Sequence, residues 1–114
     1  MSNVYCIVEP IRMEYGEPVP LFDLTPAAKY GEIKFLLKNN SSILNTVPLV
    51  RALKEKLSAY TKDDYILPVG DPVIIGLVSA MISEKTGGVF KVLKWDKKER
   101  VYLPVQIDIS GRSI

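Results

Sequence analysis

The residue types that could do chemistry cluster at the ends of three segments with strand-like composition, residues 32–38, 65–69 and 89–95. If these strands are parallel, their carboxyl ends meet at one rim, which is where open α/β sheets bind ligands. The candidate binding residues at that rim are Asn39, Asn40, Ser41, Gly70, Asp71, Trp95 and Asp96. They combine amides, a hydroxyl, an indole and two carboxylates.

Four interpretations of this rim are open. Backbone N–H groups at a helix start could bind a nucleotide phosphate, although Gly70 has no glycine-rich fingerprint around it and Asp71 would repel phosphate. Asp71 and Asp96 could hold Mg²⁺ for phosphoryl transfer. Trp95 and Arg100 could anchor a protein partner. In the purely structural alternative, Asp71 caps a helix, Trp95 packs on the hairpin and Asp96 begins a turn.

A second candidate surface is a basic hairpin that also carries aromatic residues. Its basic residues are Lys91, Lys94, Lys97, Lys98 and Arg100, interleaved with Trp95 and Tyr102. Such interleaving can bind single-stranded nucleic acid. The alternative is a hairpin whose lysines are simply solvated, which is the commoner arrangement.

Composition excludes several classes of function. The sequence has no histidine, which removes histidine-based triads and most zinc sites. A net charge of +2 argues against a protein with a wide basic face for nucleic acid. No cofactor fingerprint is present, so we expect no cofactor. Cys6 is the single cysteine, which suits a reducing cytoplasm, and neither a signal peptide nor a membrane span is predicted.

The second half of the chain has the clearest local signals. Gly70-Asp71-Pro72 predicts a helix start, and Gly87-Gly88 predicts its end. The helix between them, residues 72–86, is apolar on nearly all sides, and Val73, Leu77 and Met81 are expected in the core. Gly76 in its middle predicts close packing of helix on strand. In the last strand, residues 100–109, the odd-numbered apolar positions should face the core, and Pro104 predicts a sheet edge.

The first half predicts a strand at residues 4–8, an irregular arm at residues 10–24, a short helix at residues 25–31 and a helix over residues 46–60. Two successive strand–helix–strand units imply parallel pairing with right-handed crossovers. The predicted fold is therefore a single α/β domain over residues 1–114. It is a small Rossmann-like mixed sheet, with three parallel strands, a C-terminal antiparallel hairpin strand and two main helices.

Apolar surface exceeds what so small a fold can cover. The helix at residues 72–82, the arm at residues 12–22 and an open sheet edge all need burial, and small domains have much surface for their volume. Two-fold self-association is the common remedy. We therefore expect a homodimer, with the arm or an edge strand at the interface.

The motifs DDYILPVGDPVIIGL and VLKWDKKERVYLPVQIDI, and more loosely PLFDLTPAAKYGEIKFLL and PLVRALKEKL, resemble small uncharacterised proteins of tailed bacteriophages. The resemblance covers most of the chain and implies an accessory protein in the cytoplasm of an infected host cell. It implies no catalytic residue.

The strand, Gly-x-Pro turn, apolar helix and hairpin are also topologically similar to small CRISPR-associated ring nucleases, which act on cyclic oligoadenylate as dimers. Their catalytic histidine has no counterpart here. The leading functional prediction is thus a non-catalytic phage accessory protein that binds a macromolecule, with a host protein as the expected partner. The alternatives are a nucleotide or cyclic-oligonucleotide binder and a Mg²⁺-dependent phosphodiesterase.

Overall fold

The computed structural model describes residues 2–21, 23–38 and 46–112. In chain order the strands are β1 (Asn3–Val8), β2 (Ile11–Glu14), β3 (Glu17–Pro20), β4 (Glu32–Leu37), β5 (Tyr65–Leu67), β6 (Val89–Asp96) and β7 (Val101–Asp108). The helices are a 3-10 helix (Thr25–Tyr30), α1 (Thr46–Lys56) and α2 (Pro72–Thr86). Helix α2 therefore has the predicted bounds, whereas α1 ends earlier than predicted. No helix in the described ranges is long and apolar enough to cross a membrane.

The main sheet has five strands in the order β4-β1-β5-β6-β7. Strands β4, β1, β5 and β6 are parallel, and β7 is antiparallel to β6. The α/β mixed sheet is thus confirmed, with β1 as a fourth parallel strand between β4 and β5. Residues 4–8 of β1 are all buried, because a central strand is covered on both faces.

Helices α1 and α2 cover one face of this sheet, which we call the helix face. Ile74, Val78 and Ile82 of α2 are fully buried in its core. The expectation for Val73 was wrong, because it is 55% exposed, while Leu77 and Met81 are partly buried against the core. The buried positions recur every four residues, so α2 packs through one stripe rather than on all sides.

Gly76 lies on the solvent side of α2. A β-carbon added there would meet no heavy atom within 4 Å. The predicted close packing at Gly76 was therefore wrong.

The second face of the sheet, which we call the open face, is covered by a much smaller element, the six-residue 3-10 helix. Ala27 of that helix is fully buried against Val4 and Cys6 of β1, Leu67 of β5 and Leu93 of β6. Burial raises the pKa of the Cys6 thiol to about 12, so it is protonated and inert at neutral pH. This face is packed under the 3-10 helix and uncovered beyond it.

Strand β7 forms one edge of the sheet, as Pro104 predicted. Its side chains alternate between the two faces, with Ile107 packed against the helix-face core and Tyr102 buried on the open face. The expected burial of the odd-numbered side was wrong for Leu103, Val105 and Ile109, which are exposed. The open face buries Tyr102 because Trp95, its cross-strand partner, lies against it with ring centroids 4.9 Å apart. On the other face, α2 does not reach far enough along β7 to cover Leu103 and Val105.

The arm is a regular β-hairpin rather than an irregular segment. Strands β2 and β3 pair antiparallel as a separate two-stranded sheet, with Glu14 opposite Glu17. Tyr15 and Gly16 form the tip, with φ of 51° and 79°. Positive φ at both central residues is the geometry of a tight hairpin turn, and Gly16 permits it. The hairpin base is closed by a hydrogen bond from the Leu21 amide to the Pro10 carbonyl.

Candidate binding site

Four of the predicted rim residues, Gly70, Asp71, Trp95 and Asp96, lie at or just after the carboxyl ends of β5 and β6. Gly70, with φ of 130°, turns the chain from β5 into α2. Asp71 is the N-cap of α2, and its carboxylate accepts a hydrogen bond from the Val73 amide at 2.8 Å. Asn39, Asn40 and Ser41 lie outside the described residues.

Asp96 begins the turn between β6 and β7. Its carboxylate accepts hydrogen bonds from the Lys98 amide at 3.0 Å and the Glu99 amide at 3.3 Å. Both aspartates therefore bind backbone amides of their own local turns. Within residues 2–21, 23–38 and 46–112, no group of three or more metal-ligating side chains comes together.

Trp95 belongs to a cavity of about 590 Å³ on the open face, beside the 3-10 helix. We call this the rim cavity. Its lining comes from four separate parts of the chain: Asp23, Pro26, Leu67, Pro68, Val69, Leu93, Trp95, Arg100 and Tyr102. Leu67 and Leu93 are buried in the sheet and form an apolar floor. Trp95 is 40% exposed, so a ligand in the cavity could contact its indole directly.

Trp95 and Tyr102 form an aromatic wall of the rim cavity, and a hydrogen bond from the 3-10 helix fixes the position of Tyr102. The Tyr30 hydroxyl donates a hydrogen bond to the Tyr102 carbonyl at 2.7 Å, which ties the end of the 3-10 helix to β7. Burial raises the pKa of the Tyr102 phenol, so this ring stays neutral against Trp95. The wall is therefore preorganised, which lowers the entropy that binding must overcome.

Two charged residues, Arg100 and Asp23, line the cavity. Arg100 lies in the turn before β7 with φ of 55°, a conformation rare for a side chain of its size. Asp23 accepts hydrogen bonds from the Thr25 hydroxyl at 2.5 Å and the Thr25 amide at 2.9 Å. These two bonds lower the pKa of the Asp23 carboxyl, so it is ionised at neutral pH. A cation and an anion thus flank an apolar floor.

The five predicted basic residues do not form one patch. Lys91 lies over the Tyr65 ring at 4.2 Å and donates to the Asp63 carbonyl, at the far end of β6. Lys94 neighbours Trp95 in the strand, so its side chain leaves from the opposite face. Lys97 and Lys98 share the exposed turn with Arg100, and Arg100 also lines the cavity. We call residues 96–100 the basic turn.

Sequence reasoning missed Asp23, Pro26, Leu67 and Tyr102 as cavity residues. The pattern Asp23-x-Thr25 before a proline was a local signal for the start of a helix. It did not indicate that Asp23 would lie in the same cavity as Trp95. Tyr102 was placed correctly on the side of β7 opposite Leu103 and Val105, but the other side was expected to face the core. The contacts that unite these residues join positions far apart in the chain, which residue spacing cannot predict.

Comparison with known proteins supports a phage origin. Residues 2–109 match the family described as phage Pam3 gp32-like protein, which is nearly the whole chain. The chain belongs to this phage protein family. No curated protein and no solved structure matched. The topological similarity to ring nucleases therefore stays a prediction.

Proposed function

We propose that this phage protein acts by binding a protein partner, a host protein of the infected cell, without catalysis. The observation that carries the proposal is the rim cavity, which has an apolar floor and is also lined by Trp95 and Arg100. Tryptophan and arginine over a pocket are the residues that most often dominate binding energy at protein interfaces.

The charges around the cavity favour a particular kind of segment. Lys97, Lys98 and Arg100 have no ion-pair partner among the residues that the structure describes. An apolar or aromatic side chain could enter the cavity while acidic neighbours in the same segment contact the basic turn. Asp23 would accept a hydrogen bond from a donor on the ligand.

The carboxylates offer little support for catalysis. Asp71 and Asp96 accept hydrogen bonds from backbone amides, roles that stabilise a helix start and a turn. The sequence contains no histidine to serve as a general base. The Asp71 carboxylate also occupies the start of α2, where it would repel a phosphate group.

A nucleotide or cyclic oligonucleotide is the second candidate ligand. The observation in its favour is the same pair of side chains, because a base could stack on Trp95 while Arg100 contacts a phosphate. The ionised Asp23 in the same cavity opposes it.

One titration separates these candidates. Trp95 is the single tryptophan in the sequence, so intrinsic fluorescence reports on the rim cavity. The probes are the peptide Glu-Phe-Gly-Glu, its basic counterpart Lys-Phe-Gly-Lys, and AMP. We expect the acidic peptide to shift the emission, with weaker binding at high salt. Arg100→Ala should weaken it by about tenfold, while Lys62→Ala, in an exposed turn away from the cavity, should not.

A response to AMP but not to the acidic peptide would replace the protein-binding proposal with the nucleotide one. Equal responses to both peptides would remove the selectivity for acidic segments. Host specificity requires a second step, capture from host lysate with the wild type and with Trp95→Ala. We expect a host protein that binds the wild type and not the variant.

A further inference from the structure

The tip of the arm exposes residues that a protein normally shields. Tyr15 is fully exposed, and Met13 beside it is 64% exposed. Tyr15 also has φ of 51°, a left-handed conformation that is unfavourable for a bulky side chain and is usually filled by asparagine or glycine in this turn. Strain of this kind commonly marks a residue kept for function.

The charges at the tip are only partly balanced by the residues that the structure describes. Glu14 and Glu17 are direct cross-strand partners, and like charges in that position destabilise a hairpin. Arg12 forms an ion pair with Glu14 at 3.0 Å, which leaves Glu17 and a net negative tip. A two-stranded ribbon is at best marginally stable in water without further packing. The tip is therefore an aromatic side chain between two acids on a ribbon that would gain from a partner.

We infer that the arm tip, residues 14–17, binds in the rim cavity of a second copy of this chain. The inference rests on the proposed function, because it identifies one partner for the same cavity. Tyr15 matches the aromatic side chain that the cavity suits, and the two glutamates match the basic turn. That turn carries three cations against Glu99 and Asp96, and the Asp96 carboxylate already accepts backbone amides.

The positions of arm and cavity suit a reciprocal two-fold dimer. The arm leaves the sheet after Val8, at the carboxyl end of β1, and the cavity lies at the carboxyl ends of β5 and β6. Asp23 lies three residues after the end of β3 and lines the cavity. Four residues per strand give the arm a reach of about 14 Å beyond its base. Its tip does not line the cavity of its own chain. Two copies related by a two-fold axis could each extend an arm into the other's cavity.

Charge reversal tests this arrangement. In one variant, Glu14→Lys and Glu17→Lys make the tip basic; in the other, Lys97→Glu and Lys98→Glu make the turn acidic. We expect the wild type to have twice the mass of one 12.8 kDa chain by light scattering at micromolar concentration. Each variant by itself should have the mass of one chain. An equimolar mixture should regain the dimer, because both reciprocal contacts then join opposite charges.

Matched controls keep the test independent of net charge and folding. Glu55→Lys with Glu84→Lys, and Lys54→Glu with Lys62→Glu, change the charge equally at exposed sites elsewhere and should leave the dimer intact. Tyr15→Asn places a residue that favours the tip conformation, so the chain should fold at least as well yet lose the dimer.

Three results would overturn the inference. These are a wild type with the mass of one chain up to about 100 μM, a dimer that persists in both charge-reversed variants, or a mixture that stays monomeric. The peptide titration distinguishes this failure from failure of the proposed function. If monomeric wild type still binds Glu-Phe-Gly-Glu, the cavity binds protein segments but not the arm.

Discussion

The two faces of the main sheet differ in how completely they are covered. The helix face is closed by α1 and by the buried stripe of α2. The open face is covered by a six-residue 3-10 helix, and the uncovered part beside it becomes the rim cavity. The cavity therefore arises because the 3-10 helix is too short to cover the whole of the face beneath it. The helix face has the larger cluster of buried residues, and the open face has the cavity for which we propose a binding role.

The helix face should lose the most stability on truncation. Ile74→Ala should lower the free energy of unfolding by about 2–5 kcal/mol, because it removes buried methylene groups and leaves a cavity. The neighbouring change Val73→Ala should cost less than about 1 kcal/mol, since Val73 is exposed. Urea unfolding of the two variants measures the difference. Equal losses would mean that α2 packs through a different side.

The amino end of the sheet should be the next most sensitive region. The Asp64 carboxylate is buried and accepts hydrogen bonds from the Asn3 amide at 2.7 Å and the Thr61 amide at 2.8 Å. Asp64→Ala leaves these donors without an acceptor and should cost roughly 1–3 kcal/mol. Asp63→Ala, at the exposed neighbouring position, is the control. A small and equal effect of both would show that water replaces the carboxylate.

Alkaline pH should weaken the buried centre of both faces. Burial raises the pKa of the Cys6 thiol to about 12 and raises the pKa of Tyr60 and Tyr5. These groups ionise more readily in the unfolded chain than in the folded one. Their contribution to folding stability is therefore complete below the pKa of the unfolded state and is lost as the pH rises above that pKa. For Cys6, whose unfolded pKa is near 9, the loss at pH 10 should be about 1–2 kcal/mol.

Urea unfolding at pH 7 and pH 10 measures this loss, and Cys6→Ala should show less of it. A thiol reagent should also react slowly with native protein at pH 8. Rapid reaction, or a stability that is the same at both pH values, would contradict the sealed position of Cys6 beneath the 3-10 helix.

The smallest predicted effect is a gain in stability on the solvent side of α2. Gly76→Ala should stabilise the protein by about 0.5–1 kcal/mol, because the added methyl group meets no neighbour and alanine favours helix. Gly87→Ala should destabilise it, since Gly87 ends α2 with φ of 69°. Thermal unfolding of both variants checks the opposite signs. Destabilisation by Gly76→Ala would indicate contacts on that side of the helix.

The sequence correctly predicted features that depend on short-range signals, such as the ends of a helix. Asp71-Pro72 and Gly87-Gly88 are short-range signals, so the bounds of α2 were correct. The buried side of α2 was not predictable, because apolar residues surround most of the helix and give no preferred direction. The arm was expected to be irregular because of its prolines, yet Pro18 and Pro20 are tolerated in the isolated pair β2 and β3.

The site was predictable in part for the same reason. The carboxyl-end rule pointed to Trp95, which lines the cavity. Asp23 reaches it from the segment before the 3-10 helix, Pro26 from that helix and Tyr102 from β7, through contacts between distant parts of the chain. Because no short-range pattern encodes those contacts, the cavity itself could not be predicted.

The most direct test of the account is the nuclear magnetic resonance signal of the Trp95 indole N–H during titration with Glu-Phe-Gly-Glu. The Tyr15→Asn protein is used, so that no arm competes for the cavity. We expect the indole signal to shift together with the amide signals of Arg100 and Tyr102, while the amide signals of Ile74 and Val78 on the helix face stay unchanged. No shift at Trp95, or shifts confined to the helix face, would contradict it.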